Sequence, residues 1–197
     1  MSKYSNDPFI KTNAKNMHIK APCSWYMLVV TCLYIGRIPF ASGTFGSLTA
    51  YPIYYWATHY YCTHQDLVSF LYTISISLAI IGWYAIHLFQ QETRAYDHSS
   101  IVIDELAGQL LTLAIADHWL SYLELRTSEW HRLSLTNFNF IISFIAFRYY
   151  DITKPSLIGA IDKLHRYSLA VMLDDILAAI FASATVYGCY LISLQIA

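Results

Sequence analysis

Five carboxylates fall in three short stretches of this chain: Asp104 and Glu105 in "IVIDELAGQLL", Asp151 in "FRYYDITKP", and Asp174 and Asp175 in "VMLDDILAAIF". The two paired stretches align without a gap. Each has three aliphatics, an Asp, a second acid, another aliphatic, and a small residue four places after the first Asp (Gly108 and Ala178). One acid at a helix start is explained by capping, worth about 1 kcal/mol, but capping does not call for two acids at both helices. Small residues at the matching positions let the helices approach closely and bring the pairs together. Hard carboxylate oxygens gathered in this way select Mg2+ or Mn2+, held by a few carboxylates together with a substrate phosphate.

Two cations accompany the acids. Arg148, Asp151 and Lys154 are spaced three apart, so they project from roughly one side of a helix end that Pro155 stops. Snorkelling at a membrane boundary would explain the cations alone; beside so many acids they also suit the non-bridging oxygens of a metal-bound phosphate. The stretch "GRIPFASGTFGS", residues 36–47, is expected to be a loop. Gly36, Gly43 and Gly46 allow close backbone approach, and Ser42, Thr44 and Ser47 add hydroxyls that could line an anion site. A plain reversal before a helix is the competing reading, since no Walker-type lysine follows. The four cysteines, scattered among apolar stretches, have neither metal nor disulfide spacing, and no Cys/His set fits zinc.

These groups need elements to carry them. Of 197 residues, 56% are hydrophobic and only 13% charged, against about 25% charged in soluble domains. Mean hydropathy is +0.40. The composition is that of an integral membrane protein, and the apolar stretches that follow make its expected fold all-α and multi-pass. A net charge of −1 argues against nucleic acid as a partner. Leu67–Phe89 and Ile176–Ala197 are long enough to span a bilayer, which takes about 20 residues. A third uncharged stretch runs from Ile38 to Gln65, with a Gly/Ser/Thr-rich beginning and an apolar, tyrosine-rich second half. Leu106–Ala116 and Leu133–Phe147 read as packed or partly amphipathic helices, and Pro22–Ile35 as an interfacial or re-entrant segment. Residues 1–20 form a basic polar tail, and residues 21–197 the single helical domain. With the tail cytoplasmic, spans at 48–65, 67–89, 106–120, 134–149 and 176–197 leave segments 90–105 and 148–175 on the tail's side. Arg148, Lys154, Lys163 and Arg166 in the latter favour that orientation. All the acid clusters then meet at the cytoplasmic face, where carboxylates are tolerable.

The chain resembles the phosphatidylglycerophosphatase A family over about residues 25–190. The resemblance rests on "SGTFGSLTAYP", "DHSSIVIDELAGQ", "FRYYDITKP" and "MLDDILAAI", in that order and at the family's spacing. Two departures stand out: Ser42-Gly43-Thr44 replaces the usual Pro-Gly-Thr, and "HRYSLAV", residues 165–171, replaces a glycine-rich stretch before the Asp pair. The resemblance implies a multi-pass enzyme of the bacterial inner membrane. It would hydrolyse the phosphomonoester of phosphatidylglycerophosphate to phosphatidylglycerol and phosphate, a step of phospholipid biosynthesis, with Mg2+ required.

On this reading Asp104, Asp174 and Asp175 are the expected metal ligands, and Glu105 and Asp151 a further ligand or proton acceptor. Lys154 is expected to take part in catalysis and, with Arg148, Thr44 and Ser47, to bind phosphate. The partners are a phospholipid substrate and the membrane; no oligomeric state follows. The alternative is a small cation transporter or structural membrane protein with acids lining an ion path. That would spread acids along the depth of several helices, whereas here they cluster at helix ends beside cations.

Overall fold

The computed structural model describes residues 24–61, 63–94, 98–122, 129–155, 158–159 and 167–196. The basic tail 1–20 lies outside them. The helices are α1 (Trp25–Val30), α2 (Ser42–Leu48), α3 (Ala50–Tyr60), α4 (His64–Thr93), α5 (Ile103–Tyr122), α6 (Glu129–Thr153) and α7 (Ser168–Ile196), with a 3-10 turn at Ile35–Arg37. No strand occurs among the described residues.

Helix α5 is the axis of the bundle. It packs against α4, α7 and α6, and buries Ile103, Leu106, Ala107, Leu110, Leu113, Ala114 and Leu120. Its residues are buried on nearly every side, the polar Gln109, Thr112 and Asp117 included, so a central position is where it is stable. Gly82 of α4 lets this packing close: a Cβ there would lie 2.8 Å from Met172 and 2.9 Å from Ile103. The expectation of a packed helix at Leu106–Ala116 is met.

Helix α6 is inverted relative to a helix in water. Thr136, Asn139 and Ser143 are buried, while Phe138, Ile141, Ile145 and Ile152 are exposed. The interior polar groups are tied together across helices. Asn139 donates to the Tyr54 hydroxyl (2.8 Å) and accepts from Tyr190 (2.7 Å) and Ser143 (3.2 Å). Helix α4 likewise shows Ile76, Ile80, Ile81, Trp83 and Tyr84 on its outer face. Two helices among the described residues are long and apolar enough to cross a membrane: α4, and Ser168–Ser193 of α7.

Three local expectations are corrected. Residues 42–48 form a helix, not a loop. Helix α3 has 11 residues, about 16 Å at 1.5 Å per residue, too short for a hydrocarbon core of about 30 Å. The stretch 48–65 alone is therefore not a complete span; α3 continues α2 through the single right-handed residue Thr49, and the two together make about 28 Å of helix over residues 42–60. Helix α7 starts at Ser168, so Asp174 and Asp175 lie within the helix and do not cap it. The described part of 22–35, from Ser24 on, is a short helix followed by turns, in keeping with the interfacial reading.

Candidate active site

The site is assembled at the start of α5. Three short-range ties hold the segment before it. The Val102 N–H donates to the Val30 carbonyl (3.0 Å), the Ser42 hydroxyl donates to the Ser99 carbonyl (2.6 Å), and Gly36 lies so close to the Ser100 carbonyl that a side chain would collide with it. Asp104 and Glu105 follow in the first turn. Helix α7 crosses α5 at Gly108, where a Cβ would lie 3.1 Å from the Asp175 carbonyl and 2.7 Å from Phe147; Ala178 is fully buried. Small residues on the two helices thus permit the approach that joins the acid pairs.

The two pairs have the same local form. The Glu105 N–H donates to Asp104 Oδ1 (3.1 Å), and the Asp175 N–H donates to Asp174 Oδ1 (3.1 Å). One carboxylate oxygen from each of Asp104, Glu105 and Asp175 falls within 4.8 Å of the others. Helix α2 closes the near side through its glycines. A side chain at Gly43 would collide with Glu105 Oε1 and come within 3.2 Å of Arg148 Nη1, and one at Gly46 would lie 2.8 Å from Val102. Glycine is disfavoured inside a helix, by about 0.5–1 kcal/mol relative to alanine. Here the close approach to Glu105 explains it.

The cations arrive from α6. Arg148 Nη1 lies 2.5 Å from Asp151 Oδ2 and donates to the Ser47 hydroxyl (3.4 Å), which in turn donates to the Gly43 carbonyl (3.0 Å). Arg148 Nε is buried without a hydrogen-bond partner. Lys154 directly follows α6 with a left-handed backbone (φ 43°), its N–H donating to the Tyr150 carbonyl (2.9 Å). Its Nζ lies 2.6 Å from Asp174 Oδ2. The helix ends where Pro155 would follow, and the left-handed residue turns the lysine toward α7.

Burial dominates the electrostatics. Burial, and next the neighbouring Asp174 charge, push Asp104 up to about 7. Burial and the Asp104 and Asp151 charges raise Glu105 well above the usual carboxylate range, although Arg148 pulls it the other way. Like charges this close cannot all ionise without a compensating cation. Glu105 Oε2 is buried with no hydrogen-bond partner. Crowded hard oxygens with an unfilled acceptor fit a divalent cation such as Mg2+ or Mn2+.

The structure therefore brings Asp104, Glu105 and Asp175 into one group, with Asp174 turned to Lys154 and Asp151 to Arg148. Ser47 joins Arg148; Thr44 is half-buried on α2, and no contact of its hydroxyl with the acids is described. Sequence reading passed over Ser99, Ser100 and Val102, whose backbone anchors the site, and Gln109, a lone amide in an aliphatic run. That isolation is the signal that marks it.

The profile of the phosphatidylglycerophosphatase A family matches residues 28–190. Phosphatidylglycerophosphatase A of Escherichia coli (strain K12) is 29% identical over 170 residues, covering 86% of this chain and 85% of that protein. The Haemophilus influenzae protein of the same name is 29% identical over 109 residues, 55% of this chain and 57% of its own. A Bacteroides thetaiotaomicron protein with a provisional phosphatidylinositol-3-phosphatase name is 26% identical over 169 residues, 83% of this chain and 92% of its own. No solved structure matches. With the profile covering most of its length, the chain belongs to the phosphatidylglycerophosphatase A family and is a phosphatase.

Proposed function

We propose that this chain hydrolyses the phosphomonoester of phosphatidylglycerophosphate, releasing phosphatidylglycerol and phosphate, with Mg2+ or Mn2+ held by Asp104, Glu105 and Asp175. The observation that carries the reading is the convergence of these three carboxylates within 4.8 Å, with Arg148 beside them. The metal, when bound, neutralises phosphate charge and lowers the barrier to attack. Arg148, poised by Ser47 and with a buried donor to spare, receives non-bridging phosphate oxygens. Lys154 neutralises Asp174 and adds positive charge at the rim. Asp151 holds Arg148 in the resting site and accepts the proton of the attacking water once the guanidinium turns to phosphate. The water oxygen forms the new bond to phosphorus as the ester P–O bond breaks, and the proton taken up by Asp151 passes to the departing headgroup oxygen, which leaves as a hydroxyl.

The reading places the chain in a bacterial inner membrane, with residues 21–197 acting as one multi-pass helical domain in phospholipid biosynthesis. The site and the N-terminal tail face the cytoplasm. Support comes from α6, whose polar groups are inside and apolar groups outside, and from the exposed aliphatics of α4. Cysteines introduced at Ser99 and Tyr167 are expected to label from the cytoplasmic side only; labelling from opposite sides would break the topology. The activity test is phosphate release by purified chain in mixed micelles with Mg2+, comparing phosphatidylglycerophosphate, phosphatidic acid and phosphatidylinositol 3-phosphate. Preference for the last would redirect the substrate assignment while leaving the chemistry in place.

A further inference from the structure

Gln109 lies one helical turn beyond Glu105 on α5, a spacing that puts the two side chains on one face. Its side chain is fully buried, and neither Oε1 nor Nε2 has a hydrogen-bond partner. Glu105 Oε2 is buried and unpartnered in the same way. Leaving buried polar groups unmatched costs about 1–3 kcal/mol each. Elsewhere the same bundle satisfies both the nitrogen and the oxygen of a buried amide, since Asn139 is bonded to Tyr54, Tyr190 and Ser143. Two unmatched groups that share one helix face are each other's natural complement through a bridging water, because an amide and a carboxylate supply the two or more polar partners such a water needs.

We infer that Glu105 Oε2 and the Gln109 amide enclose a hydration site that forms the floor of the acid cluster. Gln109 is then a positioning residue: through the bridge it holds the Glu105 carboxylate beside Asp104 and Asp175. Carboxylates that hold metals are commonly oriented by such outer partners, whose removal weakens metal binding about 10–100-fold. The inference rests on the proposal that the cluster binds a divalent cation.

The test uses the full purified chain in detergent, metal-free, titrated with Mn2+ while free Mn2+ is followed by electron paramagnetic resonance. Gln109→Leu and Gln109→Met both remove the amide, and Met keeps nearly its length. Each variant is expected to bind Mn2+ about tenfold more weakly. Its metal-free melting temperature should fall by no more than a few °C, because Glu105 Oε2 loses the bridged amide while an apolar side chain keeps the space filled. Wild-type affinity in both variants would overturn the inference, whichever way the melting temperature moves. Loss of the fold in both would make Gln109 a packing residue and overturn it too. A wild-type chain that takes up no Mn2+ would sink the metal assignment and the floor together, whereas wild-type uptake with unchanged variants sinks the floor alone.

Discussion

Lys154 Nζ sits 2.6 Å from Asp174 Oδ2, joining the end of α6 to the second turn of α7. The aspartate side chain is only 5% exposed and the lysine 29%. Removing the lysine therefore takes a cation away from a buried charge. Lys154→Met is expected to destabilise the chain, by less than the roughly 3–5 kcal/mol of a fully buried pair because the lysine is partly solvated. Adding Asp174→Asn should restore the melting temperature without restoring turnover, if Lys154 also meets phosphate. Recovery of both stability and kcat in the double variant would reduce Lys154 to a partner for Asp174. Lys154→Arg should keep more activity than Met but less than wild type, since a planar guanidinium does not match a site built for a compact ammonium.

The same pairing separates Asp174 from the other acids. Asp104→Asn, Glu105→Gln and Asp175→Asn each remove one member of the group within 4.8 Å. Each is expected to weaken Mn2+ binding by at least tenfold and to lower kcat by orders of magnitude. Asp174→Asn should have a smaller effect on Mn2+ affinity, measured by calorimetry. Equal losses for all four would place Asp174 in the metal group despite its lysine.

Much of this site was legible before the structure, and the limits are physical. The acids and their small partners Gly108 and Ala178 report a close helix crossing because only small residues permit one. The glycines of residues 42–48 misled: local propensity reads Gly-Ser-Thr runs as loops, and packing of Gly43 against Glu105 overrode it. Charge also misled at α7, where Arg166 and Tyr167 precede a helix that begins eight residues before the uncharged run at Ile176. The periodicity of α6 was visible, but not that Asn139 and Ser143 face inward while Phe138 and Ile141 face out. Which face is buried depends on the surrounding solvent, and a period does not contain that information.

Glycine substitutions give a sharp contrast. A Cβ at Gly43 would collide with Glu105 Oε1, whereas one at Gly188 meets nothing within 4 Å. Gly43→Ala is expected to displace the carboxylate and reduce kcat about 100-fold with normal membrane insertion. Gly188→Ala should leave activity intact and raise the melting temperature slightly, because alanine favours a helix by about 0.5–1 kcal/mol. Full activity of Gly43→Ala would show that α2 gives way and that its glycine is not needed against Glu105.

The Cys32 thiol reports on the same field from outside the cluster. It lies 3.7 Å from the Val102 carbonyl, and burial, followed by the Asp104 and Glu105 charges, pushes it up to about 12. Alkylation proceeds through the thiolate. In a variant whose remaining cysteine is Cys32, iodoacetamide should react far more slowly than with an unstructured thiol at pH 8. Occupancy of the acid cluster by Mg2+ would offset two of the three causes, so it should accelerate the reaction modestly; burial remains. A fast reaction without metal would contradict the half-buried placement of this thiol beside the acids.

Stability against pH follows from the crowded acids. Asp104 moves from an ordinary 3.8 up to about 7 on folding, so the folded chain holds more protons than the unfolded one across that window. Its contribution to stability is then fully present below about pH 4 and is lost as pH rises through about 7. Without metal, the melting temperature should fall by several °C between pH 5 and pH 8. Asp104→Asn cannot ionise and should flatten the slope, leaving the part due to Glu105 and Asp175, both raised by burial and neighbouring carboxylates. Mg2+ at pH 8 should raise the melting temperature of the wild type well above its effect at pH 5, since the ion binds the deprotonated group. A metal-free chain that grows more stable from pH 5 to pH 8 would mean that Asp104 is already compensated in the fold, and would remove the electrostatic reason for placing a cation among these three carboxylates.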